Sequence, residues 1–262
     1  QVRNDKFATL LTNAKKAYAS ALVYKNLVTD ANDAGTGQYI SNMKETSEGS
    51  YAALIDNNTG TYFHSNWQNP GTAKHFLQAD LKAAYENIRI STYRRTQNNN
   101  NRPTHISIYG TNDATIAANL DMANIAKWDS LTALSGLPTA ATVNDYTSPK
   151  ISFPKAYQYV RFVVDSTSNS TVFFTYSEFH IQSGDYDPTL SQVNKLGALY
   201  TNLGTAITDG SALVAANAKI TEEQMNALQT AYDNYMAAFV DSTRLTVPLT
   251  AAKALVAKAV EG

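Results

Sequence analysis

A chain of 262 residues carries 21 basic and 22 acidic side chains, a formal net charge of −1, and only 16% of its residues are charged. That balance offers no basic surface for nucleic acid or anionic lipid. Cysteine is absent, which excludes a disulfide scaffold, a thiolate metal site and a cysteine nucleophile.

Polarity comes instead from Asn, Thr, Ser, Gln and 16 Tyr. No apolar run approaches the roughly 20 residues of a membrane span. Residues 1–6 are no basic lead-in to an apolar core, and both ends read as cut from a longer chain, so a secretion signal is expected upstream.

Residues 4–28 have helical period, with Phe7, Leu10, Leu11, Ala14, Tyr18, Ala21 and Leu22 on one stripe. Asn4 or Asp5 is the expected cap. The period fades over 29–50, where Asp30, Asn32, Asp33, Gly35 and Gly37 mark loop, and a domain boundary is placed near 34.

Residues 54–67, LIDNNTGTYFHSNW, are the stretch around which the chain is organised. Leu54 and Ile55 read as the end of a buried strand. Asp56, Asn57, Asn58, Thr59 and Gly60 are turn formers, and Thr61 returns a hydroxyl. An acidic turn of carbonyls, amides and a hydroxyl has the hard-oxygen chemistry that suits calcium. Beyond it, His64 and Trp67 supply a polar handle and a flat apolar face, the pair that a sugar ring asks for.

From 73 the texture is strand and turn. Segment 75–81 alternates imperfectly, and 87–93 alternates well, with Ile88, Ile90 and Thr92 on one face. Arg94, Arg95 and the run 98–101 read as a loop closed by Pro103. Residues 104–109, 150–153, 157–165 and 173–182 are further strands, a spacing that predicts a β-sandwich or barrel. Segment 116–134 fits a short helix or an interrupted strand.

At Tyr186 the helical texture returns. Asp187-Pro188 is a helix start, with Leu190, Val193, Leu196, Leu199, Tyr200, Leu203, Ala206 and Ile207 as its stripe and Asp209-Gly210 as its stop. Thr221 to Gln224 has capping-box spacing, and the stripe from Met225 to Phe239 comes next. Residues 11–21 resemble 249–259, which suggests a further repeat beginning at Leu249. The expected organisation is an N-terminal helix (1–34), a β-sandwich (35–185) and C-terminal helices (186–262) that complete a small helical bundle around the insertion.

Segments 54–67, 75–81, 90–114, 157–164 and 173–181 together resemble the discoidin-like (coagulation factor type C) domains. More narrowly, they resemble the family 32 carbohydrate-binding modules of secreted bacterial glycan-degrading proteins. The helical flanks are similar to the spacer helices of such surface proteins. The resemblance implies a mainly β jelly-roll sandwich of the galactose-binding-domain-like type. It implies a structural Ca2+ held by Asp56, Asn58, Thr61 and Glu178, with Asn57 standing where the family usually has Gly. It also implies a glycan site of His64, Trp67, Arg94 or Arg95, Asn100 or Asn101, and Phe173 or Phe174.

The expected function is therefore a non-catalytic module binding a galactose-, N-acetylhexosamine- or mannose-type glycan, tethered within a larger secreted or cell-surface protein. The alternative is a protein-interaction or spacer module that binds no sugar. No nucleophile elbow, HExxH or phosphate loop is present in the sequence, and no nucleic-acid or membrane-inserted partner is expected.

Overall fold

The computed structural model describes residues 2–97, 101–135, 137–140 and 142–239. The repeat expected from Leu249 lies outside the described residues. Two compact units divide the chain: Gln1–Val23 with Tyr186–Gly262, and Tyr24–Asp185 between them. The sandwich therefore begins at Tyr24, not at 35. A short strand, β1 (Tyr24–Asn26), already belongs to its sheet.

The first unit is helical: α1 (Val2–Ser20), α3 (Val193–Leu196), α4 (Ala198–Ala215) and α5 (Glu222–Ala238). Phe7, Leu10, Leu11 and Ala14 pack with Leu203, Leu228 and Tyr235. Helix α1 is already under way at Val2, so Asn4 is no cap. Its side-chain amide instead donates to Ala218 O at 3.1 Å and accepts from Ile220 N at 3.2 Å, tying down the α4–α5 turn. Gly197 (φ +48°) splits the first predicted C-terminal helix. Asp209-Gly210 does not stop it, because α4 runs on to Ala215. A Cβ on Gly210 would sit 3.2 Å from Phe7 Cζ and Leu11 Cδ1, so close packing accounts for that glycine. Thr221 and Gln224 form the capping box that starts α5.

The second unit is an antiparallel sandwich. Its remaining strands are β2 (Tyr39–Ser41), β3 (Phe63–His64), β4 (Phe76–Tyr93), β5 (Pro103–Thr111), β6 (Asp129–Ser135), β7 (Asp145–Thr147), β8 (Ile151–Thr167), β9 (Thr175–Tyr176) and β10 (Glu178–Tyr186). The main path runs β1-β10-β4-β8-β5-β6, with β2 and β7 also paired to β4, and β3 pairs β9 alone. The two segments predicted at 75–81 and 87–93 are one strand. A register shift between Asp80 and Tyr85, with Lys82 at φ +62°, bends it so that its first half pairs β2 and its second half β10 and β7. The ambiguous segment resolves into α2 (Ala114–Ala118), a 3-10 turn (Met122–Lys127) and β6.

Alternation places Ile88, Ile90, Ile106, Ile108, Phe162, Phe179 and Ile181 in one core with Leu54, Phe63, Phe174 and Tyr176. Arg161 is buried between the rings of Phe76 and Trp128, at 3.9 and 4.2 Å from their centres. It donates to Gln78 Oε1 at 2.6 Å and Asn119 O at 3.0 Å, which fixes the α2 segment to the sheet. Truncation would leave both a cavity and unpaired acceptors. Arg161→Ala is expected to cost about 3 kcal/mol in a urea unfolding titration.

Candidate functional site

The 54–67 stretch sits where the first turn of the sandwich meets its last strand. A 3-10 turn (Ala52–Leu54) buries Leu54, and the chain then turns sharply through Asn57, which has φ +57°. Asn tolerates this left-handed backbone because its short side chain bonds locally, so the turn survives without Gly. Asp56 Oδ1 accepts from Asn58 N at 2.8 Å. Phe63 and His64 then pair with Tyr176 and Thr175, and Ser177 Oγ donates to Thr59 O at 3.1 Å.

These contacts bring the four predicted cation ligands to one end of the sandwich. Thr61 Oγ1 lies 2.7 Å from both Asp56 Oδ2 and Asn58 O. One hydroxyl proton serves only one of those two acceptors. Glu178 is buried, and neither of its carboxylate oxygens completes a hydrogen bond. His180 Nε2 is 2.9 Å from Glu178 Oε2, and burial holds that imidazole below its ordinary pKa. Burial first, and then the Asp56 charge, push the Glu178 carboxyl up to about 7, while the Asn57 and Asn58 N–H groups pull the other way. The cluster is rich in oxygen and poor in protons. Among the described residues no grouping of three or more His, Asp or Glu forms a metal site. The donors here are instead two carboxylates, a hydroxyl and a carbonyl, a hard set that fits Ca2+.

A second cluster lies beyond the turn. Trp67 is 45% exposed, and its Nε1 donates to Glu48 Oε1 at 2.8 Å. Tyr62 donates to Glu48 Oε2 at 2.7 Å, and the Arg95 guanidinium stacks 3.5 Å from the Tyr62 ring centre. His64 is buried beside them, with its ring 5.9 Å from that of half-buried Phe173. Its Nδ1 faces Ser65 O at 2.6 Å, and burial pulls its pKa down. A neutral ring donating from Nδ1 presents Nε2 as an acceptor. Glu48 and Arg95 both act on that imidazole electrostatically, which puts all three in one neighbourhood.

The 45–49 loop that carries Glu48 is built to hold still. Glu45 Oε1 accepts from Thr46 N, Ser47 N and Ser47 Oγ at 2.9 to 3.0 Å. Gly49 (φ +72°) passes so near the β3 backbone that a Cβ would stand 2.9 Å from His64 N. Underneath, His75 joins Ser65 Oγ at 2.9 Å and Pro70 O at 2.8 Å.

Two expected ligands, Arg94 and Asn101, fall elsewhere. Arg94 points away from Arg95, and its Nε donates to Asn144 Oδ1 at 2.8 Å. Asn101 is buried and accepts from Thr171 at 3.2 Å, a brace for the loop ahead of Phe173. Asn100 lies outside the described residues. Phe174 belongs to the core, so Phe173 is the aromatic beside His64. Sequence reasoning missed Glu48, whose neighbours are Ser and Gly, and gave Tyr62 no role. A lone carboxylate in a loop without period carries no signal of its own.

The fold is an antiparallel sandwich with its polar loops at one end, and residues 38–179 match the F5/8 type C domain family. The chain belongs to that family. It is similar to CpGH89CBM32-5 from Clostridium perfringens, solved with GalNAc-beta-1,3-galactose, at 14% identity over 55% of this chain and 93% of that one (TM-score 0.42). CBM32-3 from a family 31 glycoside hydrolase of the same organism is 18% identical over 55% and 88% (TM-score 0.42). The family 32 module of C. perfringens NanJ, solved with galactose, is 16% identical over 55% and 92% (TM-score 0.39). No curated protein matches the chain.

The raised carboxyl at Glu178 makes the metal-free protein sensitive to pH. An unfolded Glu titrates near 4.3. The folded state holds its proton more tightly, so this contribution is fully present below that value and is lost as pH rises through about 7. Thermal melts in chelator should therefore show stability falling between about pH 4 and 7, and Glu178→Gln should flatten that slope.

Proposed function

We propose that this chain is a non-catalytic carbohydrate-binding module of a larger secreted or cell-surface protein. One observation carries the reading. A half-exposed indole, a carboxylate and a guanidinium on loops are grouped with a neutral imidazole acceptor carried by β3. Trp67 supplies the face for the C–H side of a pyranose ring. His64 Nε2 and Glu48 accept from ring hydroxyls, Arg95 donates, and Phe173 closes the apolar wall. Galactose-, N-acetylhexosamine- and mannose-type sugars are the ligand class. The alternative, a spacer or protein-interaction module, would gain from a Trp67 buried under other loops, and its exposure lends that reading no support.

A shallow site of this kind grips few atoms, and a Kd of roughly 0.1–1 mM is expected. Calorimetric titration of simple hexoses is the test. Trp67→Ala and Arg95→Ala should each weaken binding about tenfold or more, the loss of roughly 1.4 kcal/mol. Arg94→Ala should leave the affinity unchanged. Silence toward all three sugar types at millimolar concentration would refute the reading.

Calcium is the second part of the proposal. Asp56, Thr61, Glu178 and the Asn58 carbonyl would hold the ion, whose charge would relieve the repulsion between Asp56 and Glu178. Glu178 heads the last strand and Asp56 the first turn, so the ion's binding energy becomes folding energy. Calcium at about a hundredfold above its Kd should raise stability by about 2.7 kcal/mol. An unchanged melting temperature on adding calcium after chelation would overturn this part.

A further inference from the structure

Ser65, directly after β3, is the hub of a buried relay beneath His64 and Phe173. It is fully buried, and so is His75, which directly precedes β4. Chemistry fixes the direction of each hydrogen bond. Pro70 O can only accept, so His75 Nε2, 2.8 Å from it, carries a proton. A neutral ring then leaves Nδ1 as the acceptor, and Ser65 Oγ donates to it at 2.9 Å. That hydroxyl in turn accepts from Phe174 N at 2.8 Å, and Ser65 N donates to Phe174 O at 2.9 Å. Ser65 O accepts from His64 Nδ1 at 2.6 Å, which leaves Nε2 of His64 with the free lone pair. One serine thus ties the His64 ring, and the segment that carries Phe173, to a second imidazole.

We infer, resting on the sugar reading above, that His75 is a positioning residue: through Ser65 it orients the His64 acceptor and the Phe173 wall, and it does so only while unprotonated. A second proton, on Nδ1, would face the Ser65 hydroxyl proton, and the hydroxyl would lose the one acceptor it has among the described residues. Burial, and also the His64 ring across Ser65, hold the His75 pKa below its ordinary value, against the pull of Pro70 O. The His64 ring in turn feels Glu48 and Glu45 from the loop ahead of β3 and Arg95 from beyond the end of β4. An unfolded His titrates near 6.5. The folded state keeps His75 neutral below that value, so the relay's contribution is fully present above about 6.5 and is lost as pH falls through the folded pKa. Sugar affinity should fall over the same acid range.

The test follows the imidazole nitrogens of the full chain by NMR, and its affinity for galactose, N-acetylgalactosamine and mannose by calorimetry, both from neutral pH into the acid range. In the free chain at neutral pH, His75 should be the Nε2–H tautomer and His64 the Nδ1–H tautomer. His75→Leu, which fills the space but breaks the relay, should weaken sugar binding about tenfold or more at neutral pH and let His64 populate its other tautomer. His75→Gln offers Ser65 an acceptor and Pro70 a donor but takes up no proton. It should recover most of that affinity and keep it further into the acid than the wild type does. A loss of melting temperature alone, with the His64 tautomer and the acid limb of binding unmoved, would overturn the inference. Should His75→Leu fail to fold, an Nδ1–H or charged His75 in the wild type at neutral pH, or an unmoved acid limb in His75→Gln, would do the same. The tautomers are read without ligand, so silence toward all three sugars would refute the sugar reading while the spectra still decide the relay.

Discussion

The sandwich depends on one junction, the meeting of the Asp56 turn with the head of the last strand. Ser177 and Thr59, which are 118 residues apart in sequence, are hydrogen-bonded there, and the β3–β9 pair lies alongside. Closing so large a loop is entropically expensive, and a two-residue ladder repays little of it. The remainder comes from the core beneath, where Phe63, Phe174, Tyr176 and Phe179 pack in series through tilted and edge-on ring contacts. The carboxylates above that core oppose it. Asp56 and Glu178 repel, and the strain is held in a place where protonation or a cation relieves it.

The same junction sets how the neighbouring loops present their side chains. His64 is the second residue of β3, so pairing with Thr175 fixes the backbone that carries the imidazole. Three residues further on the chain has left the ladder, and Trp67 stands in solvent. A short strand with a loop directly after it thus yields one buried, oriented polar group and one open apolar face. Phe173 reaches the imidazole from the segment just before β9, so both walls are anchored to one ladder.

Much of this is legible in the sequence where period or turn chemistry speaks. Ile88, Ile90 and Thr92 alternate into the core, and the 56–61 turn forms at Asp56 even with Asn in place of Gly. Other positions are silent for physical reasons. Strand β4 ends at Tyr93, so alternation no longer decides between Arg94 and Arg95; Tyr62 and Asn144, both remote in sequence, do. Strand β1 is three residues long, too short to display a period, so period alone sets the sandwich boundary too late. Gly210 reads as a helix stop because close approach and termination both select glycine, and only the Phe7 contact separates them.

On the sugar-binding reading proposed above, Glu48 supplies the rigid frame that a weak site needs. An exposed indole free to rotate would be ordered only when a sugar arrives, at about 0.5–1.5 kcal/mol for such a side chain. Against the few kcal/mol that a shallow saccharide site returns, that loss changes affinity several-fold. Glu48 holds Trp67 and Tyr62 through separate carboxylate oxygens, and Tyr62 in turn supports the Arg95 guanidinium. Aromatic face, acceptor and donor are therefore set before any ligand comes. Glu48 is held in place by Gly49 behind it and by the Glu45 loop ahead of it. Specificity in such a module resides as much in the loop that orders the platform as in the platform itself.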